Sequence, residues 1–284
     1  MASQREIRRR IGAVRNIKQI TRAMQFVAAS KLRRAQEATL AARPYAEKLD
    51  EVLGDLAAVL GDEEHPLLAE RPEGGPRLFV VFSTDSGLAG PLNTNTVRAV
   101  ARAITEYKGD LKVVSVGKKG RDALRRSRVP MAAHFDAMGD RPTFGDILPL
   151  ARLITDDFVG GVYDRIDLVY PQFVSTLVQR ATIEQLLPIQ PAGDTAGIPG
   201  NQFIFEPNPA AFLRALLPRY VATRIFQALL ETKASEQSSR MVAMKNATEN
   251  AEDLIEDYTL AYNKVRQANI TREMIEIASG AQAR

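Results

Sequence analysis

The chain has 284 residues, 45% of them hydrophobic and only 6% aromatic, with no tryptophan, no cysteine and a formal charge of +4. This is enough apolar material for one large domain or two small ones. The lack of cysteine excludes disulfides, thiolate metal sites and thiol nucleophiles, and no apolar run approaches the roughly 20 residues needed to cross a bilayer.

The charge is unevenly placed. Residues 1 to 36 hold ten Lys or Arg against the single acid Glu6, whereas residues 231 to 284 hold seven basic and nine acidic side chains. Segment 3 to 60 has helical periodicity: Ile7, Ile11, Val14, Ile17, Ile20, Met24 and Val27 recur at intervals of three and four, followed after a phase shift by Ala28, Leu32 and Ala35. Pro44 predicts a kink or break near Arg43. An arginine-rich amphipathic start also suits an organelle transit peptide, but the apolar pattern runs on without a cleavage-like break through residues 37 to 60. Gly61 to Pro76, rich in Gly, Pro and acids, reads as a linker.

From Leu78 the period changes. Leu78 to Phe82 and Lys112 to Val116 read as buried strands, each followed by a helix, about Asn93 to Tyr107 and about Lys119 to Arg126. A helix from Phe144 to Phe158, a strand from Arg165 to Phe173 and a further strand from Thr182 to Leu187 complete a parallel α/β layer. Pro188 to Pro209, with five prolines and three glycines, reads as the return linker.

From Arg219 to Ser279 there is neither proline nor glycine, so Pro218 and Gly280 bracket a helix of roughly 90 Å at 1.5 Å per residue. Its distal half carries a stripe of Met244, Ala247, Ala251, Leu254, Tyr258, Ala261, Val265 and Ala268, then Arg272 and Ile275, the seam of a coiled coil. The domain reading is therefore a terminal helix over 1–60, a linker over 61–77, an α/β domain over 78–187, a linker over 188–211 and a second terminal helix over 212–284. Two terminal helices that meet across an insertion are most simply antiparallel, the basic first beside the mildly acidic last.

Few residues carry chemistry. Ser86-Gly87-Leu88-Ala89-Gly90 follows the first strand, where an α/β fold binds phosphates, but its spacing fits neither G-x-G-x-x-G nor the P-loop, and a tight strand-to-helix turn explains it. Gly117-Lys118-Lys119-Gly120 has the same standing. His65 and His134 have no partner cluster for a metal or a triad, and Asp156-Asp157 reads as a solvated helix end. The basic first helix could neutralise phosphates of a nucleic acid, yet apart from Phe26 it has no aromatic to stack on a base, and an acidic protein surface explains its charges as well. In Arg22 to Leu32 and Arg240 to Ala247 small and apolar residues occupy almost the whole helix circumference, and Ile270, Met274, Ile275 and Ile277 extend that surface to the tip. Helices apolar beyond their own seam require something else to enclose them.

These stretches carry a family resemblance: Ile20-Thr21-Arg22-Ala23-Met24 with Val27-Ala28-Ala29-Ser30-Lys31, then Ser235-Glu236-Gln237 through Arg240-Met241-Val242-Ala243-Met244-Lys245-Asn246-Ala247-Thr248, Tyr262-Asn263-Lys264 and Arg266-Gln267-Ala268-Asn269-Ile270-Thr271-Arg272-Glu273. The chain resembles the γ subunit of the F-type ATP synthases at both ends and in the centre. A match that begins within the first residues places the basic start in the mature protein.

The resemblance implies an antiparallel coiled coil with an inserted Rossmann-like α/β domain, acting as the central stalk of a proton-translocating rotary motor. It implies α and β subunits around the coiled coil, an ε subunit and a membrane c-ring as partners, a peripheral position on the cytoplasmic face of a bacterial membrane, and no cofactor or catalytic group in this chain. By the same resemblance Met24 and Arg240 face β, Arg266, Gln267, Thr271 and Glu273 engage β loops, and Ile275 lies on the turning tip. Ser86 stands where many relatives have arginine, which leaves the contact of that arginine in doubt, and the cysteine-bearing insertion of plastid forms is missing. The rival reading is a small-molecule-binding α/β enzyme with a coiled-coil oligomerisation arm, its ligand at Gly87 to Gly90.

Overall fold

The computed structural model describes residues 3–60, 65–72, 74–107, 109–136, 138–190 and 209–282. Two helices, α1 (Gln4–Leu60) and α5 (Pro209–Gln282), flank a five-stranded sheet and three shorter helices. The contacts divide the chain into two compact units, Met1–Ala28 with Arg240–Arg284, and Ala29–Ser239.

The second unit is an α/β layer. Its strands are β1 (Arg77–Phe82), β2 (Leu111–Val116), β3 (Met131–Phe135), β4 (Arg165–Phe173) and β5 (Gln179–Leu187), in the spatial order β3-β2-β1-β4-β5. β1 runs parallel to β2 and β4, and β2 parallel to β3, but β5 returns antiparallel along β4. The sheet is therefore mixed, not purely parallel as expected: only five residues, 174 to 178, link β4 to β5, and a parallel return would need a crossover of a dozen or more. β3 was not foreseen. Its alternating, half-exposed residues include two alanines and His134, so this edge strand has no apolar run to announce it.

Alternation sorts the strand side chains between two cores. Leu78, Val80, Phe82, Val114, Val116, Ile166 and Leu168 join Leu49 and Leu53 of α1, Ile147, Leu150, Ile154 and Phe158 of α4 (Phe144–Val159), and Leu213, Leu217, Val221 and Ile225 of α5. Phe79, Val81, Val113 and Val169 face Val100 of α2 (Leu92–Glu106) and Leu124 of α3 (Lys118–Arg126). α4 starts with a capping box, in which Asp146 Oδ2 accepts from the Thr143 backbone N–H at 2.7 Å.

Three proline expectations need revision. α1 continues through Pro44 without a break, and α5 begins at Pro209 and continues through Pro218. Pro209 occupies the first helical position, where its missing N–H costs nothing. Around Pro218, burial of Leu213, Leu217, Val221 and Ile225 outweighs the lost backbone bond, and Ala46, Leu49 and Leu53 play that part after Pro44. Of the two expected linkers, residues 61–64, 73 and 191–208 lie outside the described residues. α5 also continues past Gly280 to Gln282.

In the first unit the two helices pair antiparallel. Gln4 Nε2 donates to Tyr262 Oη at 3.0 Å, Lys18 Nζ meets Glu252 Oε1 at 2.6 Å, and Thr21 and Thr248 share a hydroxyl contact at 2.8 Å. As the first number of each pair rises from 4 to 21, the second falls from 262 to 248, which defines both direction and register.

Candidate functional site

The least exposed positions of the helical pair define its seam. On α1 they are Gln4, Ile7, Ile11, Val14, Lys18, Thr21, Gln25 and Ala28, and on α5 Met244, Thr248, Ala251, Ile255, Tyr258, Tyr262, Val265 and Asn269. Both sets alternate steps of three and four. The expected stripe on α5 kept Met244, Ala251, Tyr258 and Val265, but the intervening positions are 248, 255, 262 and 269 in place of 247, 254, 261 and 268.

On α1 the expected stripe leaves the seam from Ile17 to Val27, and its phase-shifted continuation is buried at Ala28 and Leu32. Ile17 and Ile20 are 51% and 59% exposed, and Lys18 and Thr21 take the seam. Apolarity misleads here because both faces of this helix carry apolar side chains, so hydropathy alone cannot select the partnered one. Lys18 reaches Glu252, whose carboxyl is held below its ordinary range first by the hydrogen bond from Lys18 and then by its charge. Thr21 meets Thr248, whose hydroxyl also reaches the Met244 carbonyl at 2.8 Å.

The displaced apolar groups remain in the open. Ile17, Ile20, Phe26 and Val27 on α1, and Leu260, Ile270, Met274, Ile275 and Ile277 on α5, are 45% to 73% exposed. Met24 and Arg240 are half-buried on their respective helices; Arg266, Gln267, Thr271, Glu273 and Ile275 are all exposed. Helical geometry puts Arg266 and Glu273 on one stripe of α5, and Gln267, Thr271 and Ile275 on the neighbouring one. Residues 270 to 279 have no buried member, so this final stretch of α5 has no partner among the described residues.

The α/β unit holds a polar cluster that sequence reasoning missed. Residues 228 to 239 of α5 are buried on every side, although Glu231, Thr232, Lys233, Ser235, Glu236, Gln237, Ser238 and Ser239 are polar. They lie against the carboxyl ends of β1 and β4, the crevice where an open α/β sheet receives ligands. Lys233 Nζ is 3.7 Å from Asp85 and 3.8 Å from Glu236, Ser86 Oγ donates to Glu236 at 3.4 Å, and Ser239 Oγ donates to the Ala89 carbonyl at 2.6 Å. From the β4 side, the Phe173 N–H donates to Glu231 at 2.8 Å and Ser235 Oγ to the Pro171 carbonyl at 2.8 Å. Buried polar groups need such partners, and here they find them in the ends of the strands.

This arrangement bears on the rival enzyme reading. The Ser86-to-Gly90 turn is occupied by the chain's own helix, and Asp85 and Glu236 place two carboxylates where a phosphate would have to sit. Asp85 also accepts from the Lys118 N–H at 3.2 Å, so the N-terminus of α3 already has an anion. Gly117 is required in the second turn: its φ is +97°, and a Cβ there would lie 2.3 Å from the Ser83 carbonyl oxygen. His65 Nδ1 accepts from the Leu67 N–H at 3.2 Å, and its pKa is lowered by burial and then by Arg214. No group of three metal-binding side chains occurs among the described residues. One sequence signal of the cluster existed, the Ser235-Glu236-Gln237 run, but nothing in that run says that it is buried.

Comparison with known proteins decides the family. A family model described as ATP synthase matches residues 3–283. The ATP synthase gamma chain of Roseiflexus castenholzii is 49% identical over 287 aligned positions, covering 100% of this chain and 99% of the relative. The chain belongs to the gamma-chain family of the F-type ATP synthases. Gamma chains of Dehalococcoides mccartyi and Chloroflexus aurantiacus are 48% and 46% identical over the same share of both chains. Among solved structures, a chain of the Euglena gracilis mitochondrial ATP synthase OSCP/F1/c-ring assembly matches with a TM-score of 0.69 at 20% identity, covering 99% of this chain and 94% of that one. A chain of the Tetrahymena thermophila central stalk and c-ring structure matches with a TM-score of 0.63 at 24% identity, covering 80% and 99%. At these identities the two structures support the fold: paired terminal helices with an inserted Rossmann-like α/β domain. No helix among the described residues is long and apolar enough to cross a membrane.

Proposed function

We propose that this gamma-family chain is the central-stalk rotor of a proton-translocating ATP synthase and carries torque between a membrane c-ring and a catalytic ring of three α and three β subunits. The observation that carries the reading is the apolar surface of the helical pair outside its seam: Ile17, Ile20, Phe26 and Val27 on one helix, and Ile270, Met274, Ile275 and Ile277 on the other. Such a surface is stable in water only when a partner encloses it. An apolar surface also suits rotation, because dispersion contacts vary less with angle than directional hydrogen bonds do.

In this reading Met24 and Arg240 face β, Arg266, Gln267, Thr271 and Glu273 engage β loops, and Ile275 turns in an apolar collar. ATP chemistry belongs to β, and this chain contributes no catalytic group. The α/β unit meets ε and the c-ring, and the whole is peripheral to the cytoplasmic face of a bacterial membrane. The polar cluster around Lys233 joins the α/β unit to the α5 segment it encloses, so that load on the sheet reaches the helix through buried ion pairs and hydrogen bonds.

The test is to mix the chain with α and β from its own source and follow Mg-ATP hydrolysis, with this chain alone as control. Sustained turnover by a stoichiometric complex, and none by the chain alone, is the expected result. Failure to assemble, or hydrolysis by the isolated chain, would overturn the reading and return attention to the Gly87-to-Gly90 turn.

A further inference from the structure

We propose that the outer face of α3 is an electrostatic docking surface for an anionic lipid bilayer. Lys118, Lys119, Arg125 and Arg126 are all exposed, and on a helix they fall within one sector opposite the buried Gly120 and Leu124. Arg128, also exposed, follows directly. The helix has a single acid, Asp122, and it is taken by Arg121, which also binds Asp136. The other five cations have no acidic partner among the described residues.

Folding does not account for this pattern. Arg125 and Arg126 suit the negative end of the helix dipole, but Lys118 and Lys119 stand at its positive end, where a cation is disfavoured and where the Asp85 carboxylate bonds the Lys118 backbone N–H but neither lysine ammonium. Two lysine side chains kept there with no ion pair of their own among the described residues point to selection for something outside the fold.

The surroundings distinguish among anionic partners. Between residues 92 and 135 no described large apolar side chain is strongly exposed, and Leu88, 60% exposed beside the Gly87 that approaches Lys119, is a single apolar group, too little for the core of a protein interface or a platform for nucleic-acid bases. A surface of four or five cations on a helix about 13 Å long, without shape features, fits a laterally fluid layer of anionic headgroups, to which each Lys or Arg contributes about 1 kcal/mol. Attraction to a laterally uniform charge is also indifferent to rotation angle.

The experiment is co-sedimentation of the full-length chain with vesicles of phosphatidylcholine alone and of phosphatidylcholine with one quarter phosphatidylglycerol, at several salt concentrations. The K118Q/K119Q/R125Q/R126Q variant is compared with a control that removes the same charge elsewhere, R33Q/K48Q/R152Q/R180Q. Expected are binding to the anionic vesicles only, salt-sensitive, and weakened at least about tenfold in the α3 variant while the control keeps most of its affinity. Equal losses in both variants, or no loss in either, would overturn the proposal. So would preferential binding of polyglutamate or single-stranded DNA through the same four residues. Should the fourfold variant fail to fold, K118Q/K119Q serves alone; removing cations from the positive helix end raises its melting temperature while its vesicle affinity falls.

Discussion

Thr21 and Thr248 meet hydroxyl to hydroxyl at 2.8 Å inside the helical seam, in positions where a coiled coil ordinarily buries apolar side chains. Each also reaches a carbonyl of its own helix, Lys18 at 3.1 Å and Met244 at 2.8 Å. Each hydroxyl has one proton and two acceptors within reach, so either threonine can supply the proton of the shared contact. Replacing either threonine by valine removes the shared contact, leaves the other hydroxyl only its own-helix carbonyl, and is expected to cost about 0.5 to 1.5 kcal/mol, whereas the T21V/T248V double variant loses much less than the sum. A double-mutant cycle by urea denaturation checks this; additive losses would show that the two hydroxyls do not act as a pair.

The exposure pattern of α1 separates residues that hold the helices together from residues offered to a partner. Ile7, 6% exposed in the seam, should cost about 2 to 4 kcal/mol as I7A. I17S and I20S, at positions 51% and 59% exposed, should change the stability of the isolated chain by no more than about 0.5 kcal/mol. In the proposed rotor the same two substitutions impair assembly with α and β, scored by size-exclusion of the mixed subunits. A large loss of intrinsic stability in I17S would mean that the helix pairs through the other face.

Lys233 neutralises two carboxylates in the polar cluster, and its side chain is only 9% exposed. K233M removes the cation that Asp85 and Glu236 share and should destabilise the α/β unit by about 3 to 5 kcal/mol. K233M/E236Q also removes one of the two carboxylates that lost this cation and should recover part of the loss. Chemical denaturation monitored by far-UV circular dichroism distinguishes the two; no recovery would locate the damage in packing, not in charge.

Asp167 is buried in β4 between two arginines, with Arg165 Nε at 2.9 Å and Arg77 Nη2 at 3.3 Å, yet its Oδ2 accepts no well-formed hydrogen bond. Desolvation outweighs the two cations and raises its pKa above the ordinary 3.8. A carboxyl with a raised folded-state pKa contributes stability that is present below pH 3.8 and is lost as pH rises through that raised value. D167N has no such loss, so its stability relative to the unmodified chain should improve as pH rises from 3.8 through that raised value and then level off. Melting temperatures of the two proteins across that range give the sign directly, and a constant difference would show that Asp167 titrates normally.

The tip of α5 provides a functional contrast. Ile275 is 59% exposed, so I275D should leave the fold of the chain intact, within about 0.5 kcal/mol. In the proposed rotor it places a charge in the apolar collar and lowers coupled ATP synthesis or assembly. Normal synthesis by a fully assembled I275D complex would remove the collar from the account.

The sequence by itself determined the two long terminal helices, the α/β insertion and most strand positions, because period and apolar runs are local properties that each segment carries alone. It also determined the family, through the runs around Met24, Arg240 and Gln267. Tertiary structure decided which of two apolar faces of α1 is the seam, since Ile17 and Ile20 look as suitable as Ile7 until Lys18 and Thr21 find Glu252 and Thr248. It decided the direction of β5 and the presence of β3, because pairing depends on neighbours and not on the strand's own pattern. The burial of Glu231, Lys233 and Glu236 came from the same source. Their composition reads as a solvated helix, and only the carbonyls, amides and charges at the ends of β1 and β4, brought there from up to 150 positions away in the chain, supply the partners that make burial affordable.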